Sequence, residues 1–326
     1  LAQNGIPDFG YWDNQVQRVR RLTAQLVGSR IDEIAFVKNT SQGLSFVANG
    51  LDWKTGDEVL IPDLEFPSNV YPWMNLKQLG VRVRKVGNTK GRYTLPSFEK
   101  VLSKRTRLIS VSSVEFVNGF RQDLSALGAL CKKRKILFCV DAIQSLGLIP
   151  MDVKKYNIDF LCADGHKWLV GPEGLGFFYC KKNRIPQLKL VSVGWHSIIN
   201  DHNFSTIDFR LKKSASRFEE GSHNTLSIMA LGASIEYLQG IGIGKIGKRV
   251  FELTDILMEG LEQMGFSVLS SKEKSERSGS VLFSVGSPKQ NRQLFTRLTK
   301  NRILVSLRGP GIRVSPHFYN SEKELE

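Results

Sequence analysis

The sequence predicts an α/β fold: a mostly parallel sheet carrying a large domain over residues 1–235, then a smaller carboxy-terminal α+β domain over 236–326. Three observations predict it. Short apolar runs alternate with amphipathic stretches through the first two-thirds of the chain, which implies crossover units and parallel strands. The texture changes near Thr225, where long helical patterns give way to short strands around one more helix. The 326 residues, 41% of them hydrophobic, are about two domains' worth and supply a sizeable core.

Each element has its own signal. Strands are expected at 33–38, 58–61, 81–86, 107–111, 136–140, 159–163 and 176–180, where β-branched and aromatic residues cluster between turn residues. The stretches 41–51, 68–79 and 124–134 carry helical periodicity between them. In the second region, helices are expected over 224–239 and from the end of a Gly-rich stretch (240–247) through Met264. Strands at 267–270 and 280–285, a helix at 289–299 and closing strands around Val305 and Val314 complete the chain. Such a sheet places its ligand at the carboxyl ends of its strands.

Composition excludes several classes. No window approaches the roughly 20 uninterrupted apolar residues of a membrane span; even 136–149 is interrupted by Asp141 and Gln144. Cys131, Cys139, Cys162 and Cys180 show no paired spacing, so reduced thiols in a cytosolic compartment are expected. The excess of 46 Lys+Arg over 31 Asp+Glu, a net +15, is scattered in small clusters without interleaved aromatics. It reads as solvated surface before it reads as a nucleic-acid platform. The chain opens on Leu1 rather than Met, so a preceding segment is expected.

Two Gly-rich motifs are decoys. Gly242-Ile-Gly244-Lys-Ile-Gly247 matches G-x-G-x-x-G but follows a helix, not a strand. As a P-loop it has Ile246 where a hydroxyl must reach magnesium, so an inter-helix connection is expected. Three other segments carry chemistry. Asp141 ends an apolar strand and calls for a cationic partner, although a strand-end Asp also caps turns. Asp164-Gly165-His166-Lys167-Trp168 ends the next strand; a desolvated lysine there suits a Schiff base, although a surface turn reads the same way. Lys38-Asn39-Thr40-Ser41 runs from strand into helix, forming either an anion cradle or a plain N-cap.

In this order, with Gln144 three residues after Asp141 and a Gly-Pro-Glu-Gly-Leu-Gly run at 171–176, the three segments resemble the fold type I pyridoxal-phosphate (PLP) enzymes. The closer resemblance is to the class V aminotransferase and cysteine desulfurase superfamily, from about Ile31 to the end. The stretch 64–73 resembles its ring-stacking segment, 219–224 the stretch that reaches the partner's phosphate, and 313–320 its closing Arg-x-Ser motif. The resemblance implies a homodimer acting on a small-molecule amino acid, with PLP and no metal. Lys167 would carry the Schiff base and move the α-proton. Asp141 would pair with the ring nitrogen, Gln144 would contact the phenolic oxygen and Phe66 would stack on the ring. Thr40, Ser41, Asp164 and His166 would hold the phosphate, with Ser222 of a second subunit. Arg313 would grip the substrate carboxylate, with Arg308 a poorer second candidate.

Two departures weigh on the reaction. Desulfurases bear a nucleophilic Cys in a mobile loop before the closing Arg; here 305–313 is short and has none. Phe66 stands where they usually present His. The expectation is therefore a transaminase, epimerase or lyase. A cysteine desulfurase or selenocysteine lyase is the alternative, and a non-catalytic basic binding protein on the same fold the third.

Overall fold

The computed structural model describes residues 9–325. In chain order the elements are α1 (Phe9–Leu26), β1 (Ile34–Val37), α2 (Thr40–Gly50), β2 (Glu58–Pro62), α3 (Tyr71–Met74), β3 (Arg82–Val86), α4 (Leu95–Val101), β4 (Thr106–Ser112), α5 (Leu124–Arg134), β5 (Leu137–Asp141), β6 (Phe160–Asp164) and β7 (Gly176–Cys180). There follow α6 (Thr225–Ile241), α7 (Ile243–Gln263), β8 (Ser267–Val268), β9 (Val281–Ser284), α8 (Pro288–Lys300), β10 (Ser306–Arg308) and β11 (Gly311–Val314).

The first seven strands form one sheet in the order β1-β7-β6-β5-β4-β2-β3. The pairs from β6 through β5, β4 and β2 to β3 are parallel; β7 runs antiparallel to both β6 and β1. Alternating side chains go to opposite faces. Phe138, Val140, Leu161 and Ala163 enter one core, while Leu137, Cys139, Phe160 and Cys162 enter the other. A sheet covered on both faces needs continuous apolar strands, and β5–β7 are apolar almost throughout.

Local chemistry sets the helix positions. Asn39 caps α2 by accepting the Gln42 amide at 3.0 Å. The buried residues Thr40, Gly43, Leu44 and Val47 then recur at three and four residues, laying α2 on the sheet. Gly43 permits that approach, since a Cβ there would lie 2.7 Å from the Cys162 Sγ. The predicted helix over 68–79 is broken into the single turn α3 between 3-10 segments at Pro67–Asn69 and Asn75–Leu79. Pro72 removes an amide donor from inside this pattern, and Pro67 stands immediately before it.

The Gly-rich stretch also differs from expectation. Only Gly242, at φ +95°, breaks the helix; Gly244 and Gly247 lie inside α7, which bends 76° from α6. Gly247 brings α7 against the Leu148 carbonyl, 2.8 Å from where its Cβ would be. α7 then serves two cores, with Ile246 and Val250 in the first and Leu257, Met258 and Leu261 in that of the second sheet. This sheet is antiparallel, in the order β10-β11-β9-β8. α6 runs unbroken through 235/236, with Ile235 and Leu238 in the core of the large sheet. Among the described residues no single helix is long and apolar enough to cross a membrane.

Candidate active site

Five strand ends converge on one cavity of about 310 Å³, lined by residues that follow β1, β2, β4, β5 and β6, with β10 and β11 closing it. The parallel topology produces this convergence, because β7 alone is reversed. Of the sequence-predicted residues, Thr40, Ser41, Phe66, Gln144, Asp164, His166, Lys167 and Arg313 line it, as does Arg308. Asp141 does not reach the wall but lies buried beneath it, within electrostatic range of Lys167. Ser222 is elsewhere, in a second cavity of about 410 Å³ with Lys38, Gln42 and His223.

Lys167 sits in a tight turn after β6. The Gly171 amide donates to the Gly165 carbonyl (2.8 Å) and the Val170 amide to Lys167's own (3.0 Å), with Val170 at φ +54°. The Lys167 Nζ lies 5.6 Å from the Phe66 ring centroid. Burial lowers the lysine's pKa; Asp141 pulls it back up and Arg313 pushes it down again. Burial likewise lifts Asp141 to about 6, against the Ile143 amide, which donates to its Oδ1 at 3.0 Å, and against Lys167. Asp164 accepts the Gly165 amide at 2.8 Å and faces the His166 Nδ1 at 3.1 Å.

At the start of α2 Asn39 accepts the Gln42 and Gly43 amides, and the Thr40 and Ser41 amides before them have no intrahelical partner. The buried Thr40 Oγ1 has none either, while Ser41 Oγ donates to Ser68 Oγ at 2.8 Å. Orphaned donors at a helix start, with a hydroxyl and His166 beside them, fit a phosphate group. Opposite them Phe66 meets Phe116 edge to face at 5.2 Å, and Arg313 donates to the Phe116 carbonyl.

Sequence reasoning missed the layer beneath. Glu65 accepts both the amide and the hydroxyl of Ser112, and Glu115 lies close to it with an unpartnered Oε2. Burial pushes Glu65 up to about 8 and Glu115 well above its usual range; Asp141 raises Glu65 further, and Glu65, Asp63 and Asp141 raise Glu115. Acidic residues just after strand ends were the available signal. A carboxyl that binds its proton more tightly when folded stabilises the protein fully below its unfolded value, here 4.5, and loses that contribution as pH rises toward 8. The melting temperature is therefore expected to fall between pH 4.5 and pH 8 and to level off above it, a change worth a few kcal/mol. Glu65→Gln is expected to flatten that slope in a calorimetric pH series.

Comparison with known proteins gives the family and the fold. The aminotransferase class-V family matches residues 8–325. A probable cysteine desulfurase of Pyrococcus abyssi is 31% identical over 94% of this chain and 80% of its own. One of Methanothermobacter thermautotrophicus is 29% identical over 96% and 81%. An uncharacterized aminotransferase of Bacillus subtilis, YcbU, is 28% identical over 96% and 83%. Among solved structures, the apo cysteine desulfurase from Thermococcus onnurineus superposes with a TM-score of 0.88 at 27% identity, covering 97% of this chain and 82% of that one. The cystine C-S lyase C-DES, in complex with its reaction product cysteine persulfide, reaches 0.93 at 24% identity over 100% and 88%, a likeness of fold. With this match, the lysine turn and the orphaned donors of α2, the chain belongs to the aminotransferase class-V family of pyridoxal-phosphate enzymes.

Proposed function

We propose that the protein acts at the α-carbon of an amino acid through Lys167, as a transaminase, epimerase or lyase. The observation that carries this reading is Lys167 itself: a desolvated amine on the cavity wall, over an aromatic ring, with the buried Asp141 below. When bound, pyridoxal phosphate supplies a carbonyl for that amine and a ring able to accept electrons from the α-carbon. A lowered pKa leaves more of the Lys167 amine neutral near pH 7, able first to attack and later to carry a proton to or from the α-carbon.

The neighbouring residues divide the remaining work. Thr40, Ser41, Asp164 and His166 hold the phosphate, and Gln144 contacts the phenolic oxygen. Asp141, shielded from solvent beneath Lys167, would hold a proton on the ring nitrogen. Phe66 covers the ring face and excludes water. Arg313 takes the substrate carboxylate, with its guanidinium anchored on the Phe116 carbonyl. Ser222 serves the site of a second copy. Its position outside this cavity supports that homodimeric reading, as do the exposed Phe204, Ile207 and Phe209 on the nearby 191–213 segment.

A cysteine desulfurase is the second reading, favoured by the names of the most similar relatives. Against it, all four cysteines are buried, Cys139, Cys162 and Cys180 within the sheet and Cys131 in α5, with burial raising each thiol's pKa. Buried neutral thiols are poor nucleophiles. One experiment separates the two: add PLP, record the visible absorption band, then screen amino acids before and after iodoacetamide treatment of the native protein. The expected result is an amino-acid-dependent spectral change that survives alkylation. Sulfide release from cysteine that alkylation abolishes would establish the desulfurase reading instead.

A further inference from the structure

The basic clusters that look scattered along the chain come together in the fold. In a parallel sheet the strands start at one edge, opposite the carboxyl ends that form the active site. β5, β4, β2 and β3 are consecutive, so their starts span roughly 15 Å at about 4.8 Å per step. Lys54 precedes β2, Arg82 opens β3, Lys104 and Arg105 precede β4, and the run 132–135 precedes β5; all of these are exposed. Backbone bonds tie the starts together: the Glu58 amide donates to the Arg105 carbonyl and the Arg82 amide to that of Asp57, each at 2.9 Å.

The carboxylates at this edge do not neutralise them. Asp57 pairs with Arg107, Glu58 with Arg84 and Asp52 with Lys189. Among the described residues, Lys54, Arg82, Lys104, Arg105 and the run 132–135 make no ion pair. The macrodipole of α5 favours cations in its last turn, which accounts for 132–134. It does not account for Lys54, Lys104 and Arg105, which lie outside any helix. Unpaired like charges gathered this closely repel one another, and an anionic surface laid across them removes that cost.

The texture of the edge narrows the anion. Among the described residues no exposed aromatic stands beside these cations; Trp53, next to Lys54, is partly buried with Arg107 5.8 Å from its ring. A protein partner needs an aromatic or apolar anchor at the centre of its interface, and a single strand needs rings on which bases stack. A duplex needs neither. It needs cations that meet phosphate rows on both sides of a groove about 12 Å wide, a distance this edge spans. We propose that the strand-start edge binds the phosphate backbone of double-stranded nucleic acid, without reading base sequence and apart from the active site.

The test titrates the protein, with PLP present, into a fluorescein-labelled duplex of mixed sequence and reads anisotropy at salt concentrations from 50 to 200 mM. Engaging about five phosphates gives a slope of log K against log salt near −4.5, a loss of several hundredfold over that range. Lys104→Glu combined with Arg105→Glu is expected to weaken binding at least about tenfold at 50 mM salt and to flatten the slope by about 2. The control reverses the same charge elsewhere: Lys289→Glu combined with Arg292→Glu, both exposed on α8, is expected to change affinity less than about threefold. Equal losses in the two variants would reveal attraction to net charge alone and overturn the proposal, as would a dissociation constant weaker than about 100 μM at 50 mM salt. Tighter binding of poly-glutamate than of the duplex overturns it in favour of an acidic protein, and tighter binding of phosphatidylserine vesicles in favour of a membrane surface. Should the first variant fail to fold, Lys132→Gln combined with Lys133→Gln, at exposed positions of α5, replaces it and is expected to weaken duplex binding severalfold.

Discussion

Lys167→Ala is expected to abolish the visible absorption band formed with PLP and to reduce turnover by at least about 10³-fold, since it removes both the nucleophilic amine and the proton carrier. The side chain is partly buried and lies over Phe66, and among the described residues no other lysine lines the cavity. Lys167→Arg is the sharper control. It keeps a cation above Asp141 but presents a guanidinium that neither attacks a carbonyl nor gives up its proton. If charge alone mattered, Arg would rescue; the expected result is that it does not. A band of wild-type intensity in either variant would show that another residue holds the cofactor.

Asp141→Asn is expected to separate activity from stability. Asn keeps an oxygen to accept the Ile143 amide but removes the charge beneath the ring. Losing a buried, paired charge costs about 3–4 kcal/mol, so turnover should fall roughly 10²–10³-fold. Because Lys167 is untouched, the absorption band should still form. In the protein without cofactor the effect on stability has the opposite sign. Burial lifts Asp141 from 3.8 to about 6, so its contribution is full below 3.8 and is lost as pH rises through 6. At pH 8 the variant should then be more stable than the wild type, by up to about 3 kcal/mol. Equal activity at pH 8 would remove Asp141 from the mechanism.

The strands of the large sheet were legible because each is a compact apolar run, and the observed bounds fall within about a residue of those expected for β1–β7. The stretch 68–79 differs from the expected helix because helical periodicity persists there while Pro72 interrupts the hydrogen bonding. At the glycines of 240–247 the reverse error occurred: turn residues suggested a loop where packing against Leu148 continues a helix.

Candidate site residues followed the same division. Thr40, Ser41, Asp164, His166 and Lys167 stand at the ends of readable strands, so their order along the chain already implied a shared crevice. The α/β class, the strand ends and the chemical types placed there were readable along the chain, because strand periodicity and strand-end chemistry are local properties. Packing of distant segments is what puts Asp141 under the cavity and Ser222 outside it, joins Glu65 and Glu115 in a buried acidic layer, and turns Arg308 and Arg313 to the same space. Burial, strand pairing and the pKa shifts they cause depend on which distant segments exclude water from a group, and no local pattern records that.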